Sequence, residues 1–174
     1  YRRHTNFSME AIEQVWDGNS TSAGRCTSTI SRNGDLITRV FLEIDGTTLS
    51  QQCNAPAVCI TDIELEIGGQ KIDKQSGIFM EAYSELTEKN PSARSGCATA
   101  PDTVNGTLFQ NMSGMGGVGC SGAVKMKYFV PLKFWFCRNP GLALPLIALQ
   151  YHEVKLIMNH TFGTGGPMTS VTNR

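Results

Sequence analysis

Apolar and polar residues alternate with period two along most of this chain. Leu36, Thr38, Val40, Leu42 and Ile44 fall on one side of an extended segment, with Arg39, Glu43 and Asp45 on the other. Ile63, Leu65 and Ile67 alternate with Asp62, Glu64 and Glu66, and Val124, Met126, Tyr128 and Val130 lie opposite Lys125 and Lys127. Val154, Leu156 and Met158 repeat the pattern near the end. This period predicts strands with one face buried. Gly68-Gly69 predicts a tight reversal into residues 70–73, because residues without Cβ take the positive φ of hairpin turns. Asn33-Gly34 predicts another turn, between a strand at 27–31 and the strand from Leu36.

Helical spacing is rarer. Ile78, Phe79, Ala82, Tyr83 and Leu86 recur at it, and Asn90-Pro91 ends the pattern. Residues 7–16 suit a helix through Met9, Ile12 and Trp16, and a strand equally well through Phe7, Met9 and Ala11. Residues 92–122 are small and Gly-rich with no sustained period, and a connection of that length inside a compact domain is usually functional.

The densest apolar stretch, YFVPLKFWFCRNPGLALPLIALQYHEVK at residues 128–155, is broken by Lys133, Arg138, Asn139 and three prolines. A membrane span needs roughly 20 uninterrupted apolar residues. The stretch therefore predicts core: a strand, a proline-shaped connection and another strand, with no transmembrane segment. Phe134, Trp135 and Phe136 are consecutive and cannot all point inward from one strand, so at least one of them is a candidate for a contact between barrels or subunits. Arg138 is the one charge of interest there. It calls for an acidic partner or a place at a subunit contact, because burying an unpaired charge is costly.

Many alternating strands with one short helix predict an all-β fold, an antiparallel jelly-roll sandwich. At 174 residues the chain is expected to be one domain able to bury ~70% of its unfolded surface. Fifteen basic and fifteen acidic residues cancel, and the absence of a basic stripe argues against direct contact with nucleic acid. Six cysteines occur at irregular spacings without a CxxC pair, which fits free thiols in a reducing compartment better than a zinc framework. Among the N-x-S/T sequons, Asn105 and Asn111 in the Gly-rich region are the weak candidates for glycan acceptors.

Catalytic and cofactor chemistry finds little support. Residues 114–119 match G-x-G-x-x-G literally, but a dinucleotide fingerprint needs a buried strand before it and a helix after it. His152 and His160 would sit ~26 Å apart on an extended strand and cannot share one metal, so both are read as surface or turn histidines. Glu64 and Glu66, ~6.6 Å apart on one strand face, read as solvent-side carboxylates. No G-x-S-x-G or H-E-x-x-H occurs. The chain is expected to be no enzyme and to carry no cofactor and no metal.

Four blocks carry a resemblance: YRRHTNF at 1–7, TISRNGDLI at 29–37, IELEIGGQKID at 63–73 and FWFCRNPGLALPLIALQYHEVKL at 134–156. In this order they resemble the major capsid protein of nucleocytoplasmic large DNA viruses, the algal-virus branch above all. The resemblance implies the N-terminal barrel of a double jelly roll. It further implies a homotrimer that forms a pseudo-hexagonal capsomer of an icosahedral shell, in contact with neighbouring capsomers and minor capsid proteins. Its place would be the virion, assembled in the host cytoplasm.

By the same resemblance, residues 7–16 become the first strand, and 26–31, 36–44, 63–67, 70–73, 124–132 and 152–159 the second to seventh. Loops 45–57 and 92–122 would lie together at the outward end. Residues 1–174 are then expected to be a single jelly-roll domain that stops before its eighth strand, leaving two open ladders, with the second barrel absent. A carbohydrate-binding jelly-roll module is the alternative.

Overall fold

The computed structural model describes residues 6–48, 54–89, 107–116, 124–163 and 168–173. Among these the strands are β1 (Asp17–Gly18), β2 (Gly24–Thr29), β3 (Leu36–Ile37), β4 (Phe41–Thr48), β5 (Ile60–Ile67), β6 (Gln70–Ser76), β7 (Val124–Pro131), β8 (Leu144–Pro145), β9 (Val154–His160) and β10 (Met168–Asn173). Short helices are α1 (Ala55–Cys59), α2 (Gly77–Thr87), α3 (Leu108–Ser113) and α4 (Trp135–Arg138). The fold is all-β and antiparallel, with a few short helices rather than one.

Two sheets make the sandwich, one ordered β1-β2-β9-β5-β6 and the other β10-β4-β7. The period-two pattern fills the space between them. Cys26, Ile63, Leu65, Leu156 and Met158 from the first sheet share one core with Leu42, Ile44, Tyr128, Val130 and Met168 from the second. Each large aliphatic side chain so buried contributes about 1.5–3 kcal/mol. Met158 sits at the centre of the first sheet, opposite Cys26 on one side and Ile63 on the other.

The Gly68-Gly69 turn forms as expected, with φ of +59° and +83°. Asn33-Gly34 does turn the chain, but not into a hairpin. β2 pairs with β1 and β9, while β3 pairs with β8 in a separate two-stranded ribbon. The expected third strand is thus split into β3 and β4, with residues 38–40 outside either.

Residues 7–16, expected as the first strand, carry no secondary structure. Phe7, Met9 and Val15 are exposed, while Trp16 packs against the core and the Ser31 N–H donates to Gln14 Oε1 at 2.8 Å. Alternation alone does not make a strand where no sheet edge receives it. At the other end, Met168–Asn173 forms β10, which no period in the sequence announced. It pairs with β4, so the third strand's ladder has a partner on each side instead of facing a gap.

α2 is present, but the side it buries is not the one its large apolar residues mark. Gly77, Met80 and Ser84 are buried, whereas Ile78 and Leu86 are exposed. The reason is close approach. A Cβ on Gly77 would lie 1.9 Å from the Ala57 carbonyl oxygen, so only a slim helical face fits against α1. Ser76 caps the helix, its hydroxyl accepting from the Phe79 N–H at 3.2 Å. α3 was hidden in the Gly-rich region. Its capping box, with Thr107 and Gln110 bonding each other's main chain at 3.2 and 3.0 Å, is the T-x-x-Q signal that could have revealed it.

Candidate assembly surface

Helices α1, α2 and α3 gather at one end of the barrel. Gly77 of α2 abuts Ala57 of α1, and Glu81 of α2 accepts from the Gly116 N–H at 2.9 Å. The described parts of the two long loops, residues 54–57 and 107–116, therefore both contact α2. Residues 49–53, 90–106 and 117–123 lie outside the described residues, as does Asn105. Asn111 is exposed on α3, but the hydroxyl of its sequon serine, Ser113, is buried and donates to the Phe109 carbonyl at 2.7 Å.

The opposite end is built from the Gly68-Gly69 turn, α4 and the loop before β9. Phe134, Trp135 and Phe136 lie at the start of a helical turn, not on a strand. Phe134 and Phe136 are fully buried, their rings stacked with centroids 5.8 Å apart, and Trp135 meets Phe136 edge-on at 5.2 Å. Trp135 alone of the three remains half-exposed. It lines a mostly apolar cleft of about 340 Å³ with Ile67, Gly68, Gln70, Ile72 and His152. Gly68 is required there, since a Cβ would approach His152 Nδ1 to 2.6 Å.

Arg138 is exposed, so its charge needs no acidic partner. Its Nε donates to the Lys133 carbonyl at 3.0 Å and its guanidinium lies 4.8 Å from the Tyr83 ring, a cation–π arrangement. Lys133 is the more enclosed cation. Its ammonium pairs with Glu88 at 2.9 Å and lies 5.6 Å from the Phe109 ring, while its N–H donates to buried Gln75. The large exposed apolar groups Leu142, Ile147 and Tyr151 belong to the same connection as the cleft wall. Arg32, which sequence reasoning did not single out, clamps that connection by donating to the carbonyls of Leu149, Gln150 and His152.

Glu64 corrects a second expectation. It is only 6% exposed and bonds Lys71 at 2.7 Å and Lys74 at 3.5 Å. The bond from Lys71 holds its carboxyl below the ordinary value, against the opposing pull of burial. His152 is exposed as expected; His160 is not, being buried at the end of β9. Cys26, Cys59 and Cys137 are free thiols, the first two pushed up to about 12 by burial. Cys53, Cys97 and Cys120 fall outside the described residues. Among the described residues, no helix is long and apolar enough to cross a membrane, and no three metal-ligating side chains converge.

Comparison with known proteins follows this architecture. Residues 1–163 match the family described as major capsid protein N-terminus. The chain is 44% identical over 170 residues to the major capsid protein of Pyramimonas orientalis virus, covering 94% of this chain and 40% of that relative. It is 41% identical over 180 residues to the major capsid protein of Phaeocystis pouchetii virus, covering 90% and 35%. A crystal structure of PBCV-1 VP54, fitted into a cryo-EM reconstruction of the virophage Sputnik, matches with a TM-score of 0.73 at 31% identity. That match covers 99% of this chain and 42% of the other. The chain thus spans between 35% and 40% of the length of these two curated relatives.

Proposed function

The chain belongs to the family of major capsid protein N-termini, and on that premise we propose that it is the N-terminal jelly roll of a viral major capsid protein, acting by assembly rather than by turnover. The observation that carries this reading is the strand order. β9 is inserted between β2 and β5, and β10 lies beside β4; this is the interleaving of early and late strands that defines a jelly roll. Its likeness to a capsid protein extends over 99% of the chain. These matches do not favour the carbohydrate-binding alternative.

In this reading the remaining length of the protein supplies a second barrel, and three copies associate as a homotrimeric, pseudo-hexagonal capsomer. Capsomers then contact one another and minor capsid proteins in an icosahedral virion assembled in the host cytoplasm. A specific interface buries ~800 Å² per partner. The cleft around Trp135, with the exposed Leu142, Ile147 and Tyr151 of the same connection, supplies apolar surface of the kind such contacts use. Trp135 and Arg138 take the contact role; Phe134 and Phe136 support them from the core. Zero formal net charge lets many copies approach without strong mutual repulsion. Sedimentation of the full-length protein tests the reading. A trimer is expected, and a stable full-length monomer would overturn it.

A further inference from the structure

We propose that His160 is an acid-sensitive latch that fastens the entry to β2 and the exit from β9 at the helix-bearing end of the barrel. Both ring nitrogens are committed. Nε2–H donates to the Asn19 carbonyl at 2.7 Å, and Nδ1 accepts from the Phe162 N–H at 3.3 Å. A carbonyl can only accept and an amide N–H can only donate, so these partners require the neutral ring with its proton on Nε2. The ring also lies 4.6 Å from that of Phe162 and is 3% exposed.

The latch ties the 19–22 segment ahead of β2 to the end of β9, just beyond the ladder that pairs Gly24 with His160. Asn19 lies just after β1, and the next residue beyond His160, Thr161, donates its N–H to the Cys59 carbonyl of α1 at 2.9 Å. Gly163 continues the path, bonding the first residue of β10 at 2.9 Å. A Cβ on Gly163 would come within 2.8 Å of the Thr21 carbonyl, which places the 161–163 exit against the 19–22 entry.

A second proton, taken from solvent, must go on Nδ1. There it sets one N–H against another, breaks the bond to Phe162 and leaves a buried charge. No described group is placed to compensate. On β2, Cys26 is a buried neutral thiol bonded to the Met158 carbonyl, and Arg25 alternates to the opposite face across from Asn159. On β5, Asp62 is engaged by Asn159 at 2.6 Å and by Lys74. α1 offers only the Cys59 thiol; Asp17 of β1 is exposed; on β10 the described side chain is Met168. Burial pushes the imidazole below its ordinary 6.5, with the bond to Asn19 opposing.

The sign follows. Below 6.5 the opened form binds a proton that the closed form refuses, so opening grows by up to about tenfold per pH unit. Neither the site nor this sign depends on the capsid reading. Hydrogen exchange of the protein, corrected for intrinsic rates, is compared at about pH 7.5 and about pH 5.5, for the native chain and for His160→Gln. Faster exchange confined to the peptides around Phe162 and Asn19, and absent in the variant, is expected. Equal protection at both pH values, a uniform change across the chain, or the same acid response in the variant would overturn the latch. Should the variant not fold, the native ring's NMR titration decides: a midpoint below 6.5 is expected, and one at or above it refutes the proposal.

Discussion

Arg32 holds His152 by its main chain: the guanidinium donates to the His152 carbonyl at 3.0 Å, and to Leu149 and Gln150 of the same turn. One side chain thereby satisfies three carbonyls and ties the turn after β2 to the connection before β9. Arg32→Ala is expected to lower stability by about 2 kcal/mol, since bonds to a charged donor are worth more than neutral ones. Arg32→Lys should recover little, because an ammonium lacks the planar fork. Urea unfolding midpoints of the three proteins check this.

Two glycines separate backbone need from mere composition. Gly77→Ala drives a Cβ into the Ala57 carbonyl, while Gly34 has nothing within 4 Å and an ordinary φ. The first should cost about 3 kcal/mol by overpacking, and the second should change stability by less than about 0.5 kcal/mol. Thermal melting of both variants side by side would expose an error, most plainly if they behaved alike.

Neighbouring aromatics should divide their duties. Phe134→Ala removes a fully buried ring and is expected to cost about 3–5 kcal/mol. Trp135→Ala opens the cleft wall and should weaken the proposed trimer far more than it lowers the melting temperature. Sedimentation and calorimetry on the same samples distinguish the two effects.

Glu64 sets an acid limit of its own. Its carboxyl lies below the ordinary 4.5 through the Lys71 bond, so the unfolded chain takes up a proton first as pH falls. Its stabilisation is present above about 4.5 and drains away as pH drops through the folded value. Glu64→Gln should flatten unfolding midpoints between about pH 5 and about pH 3; an unchanged slope would contradict the pairing.

Much of the barrel was legible along the chain. The strands at 63–67 and 124–130 and the Gly68-Gly69 reversal all appear as read, because each depends on residues within a few positions. The helix at 77–87 was legible as a helix, but not its buried face, which Ala57 decides from another element. The candidate surface was half legible. Trp135 and Arg138 stood out by composition, yet Arg32 and Gly68 matter only because the 146–152 connection folds back upon them.

The sequence by itself determined that 63–67, 124–130 and 154–158 are strands, where the tightest turn falls, and that the 128–155 run is no membrane span, although only part of it, Tyr128, Val130, Leu132, Phe134 and Phe136 among others, proved to be core. Tertiary structure alone decided that β9 enters between β2 and β5, that 168–173 pairs with β4 while 7–16 joins no described strand, and that Glu64 and His160 are buried. Alternation is a property of a single strand, written within six or eight residues. Neighbours in a jelly roll come from the far end of the chain, as when Cys26 pairs with Met158, and so do the groups that cover a charge or a ring. Local chemistry names the pieces; long-range pairing assigns their places.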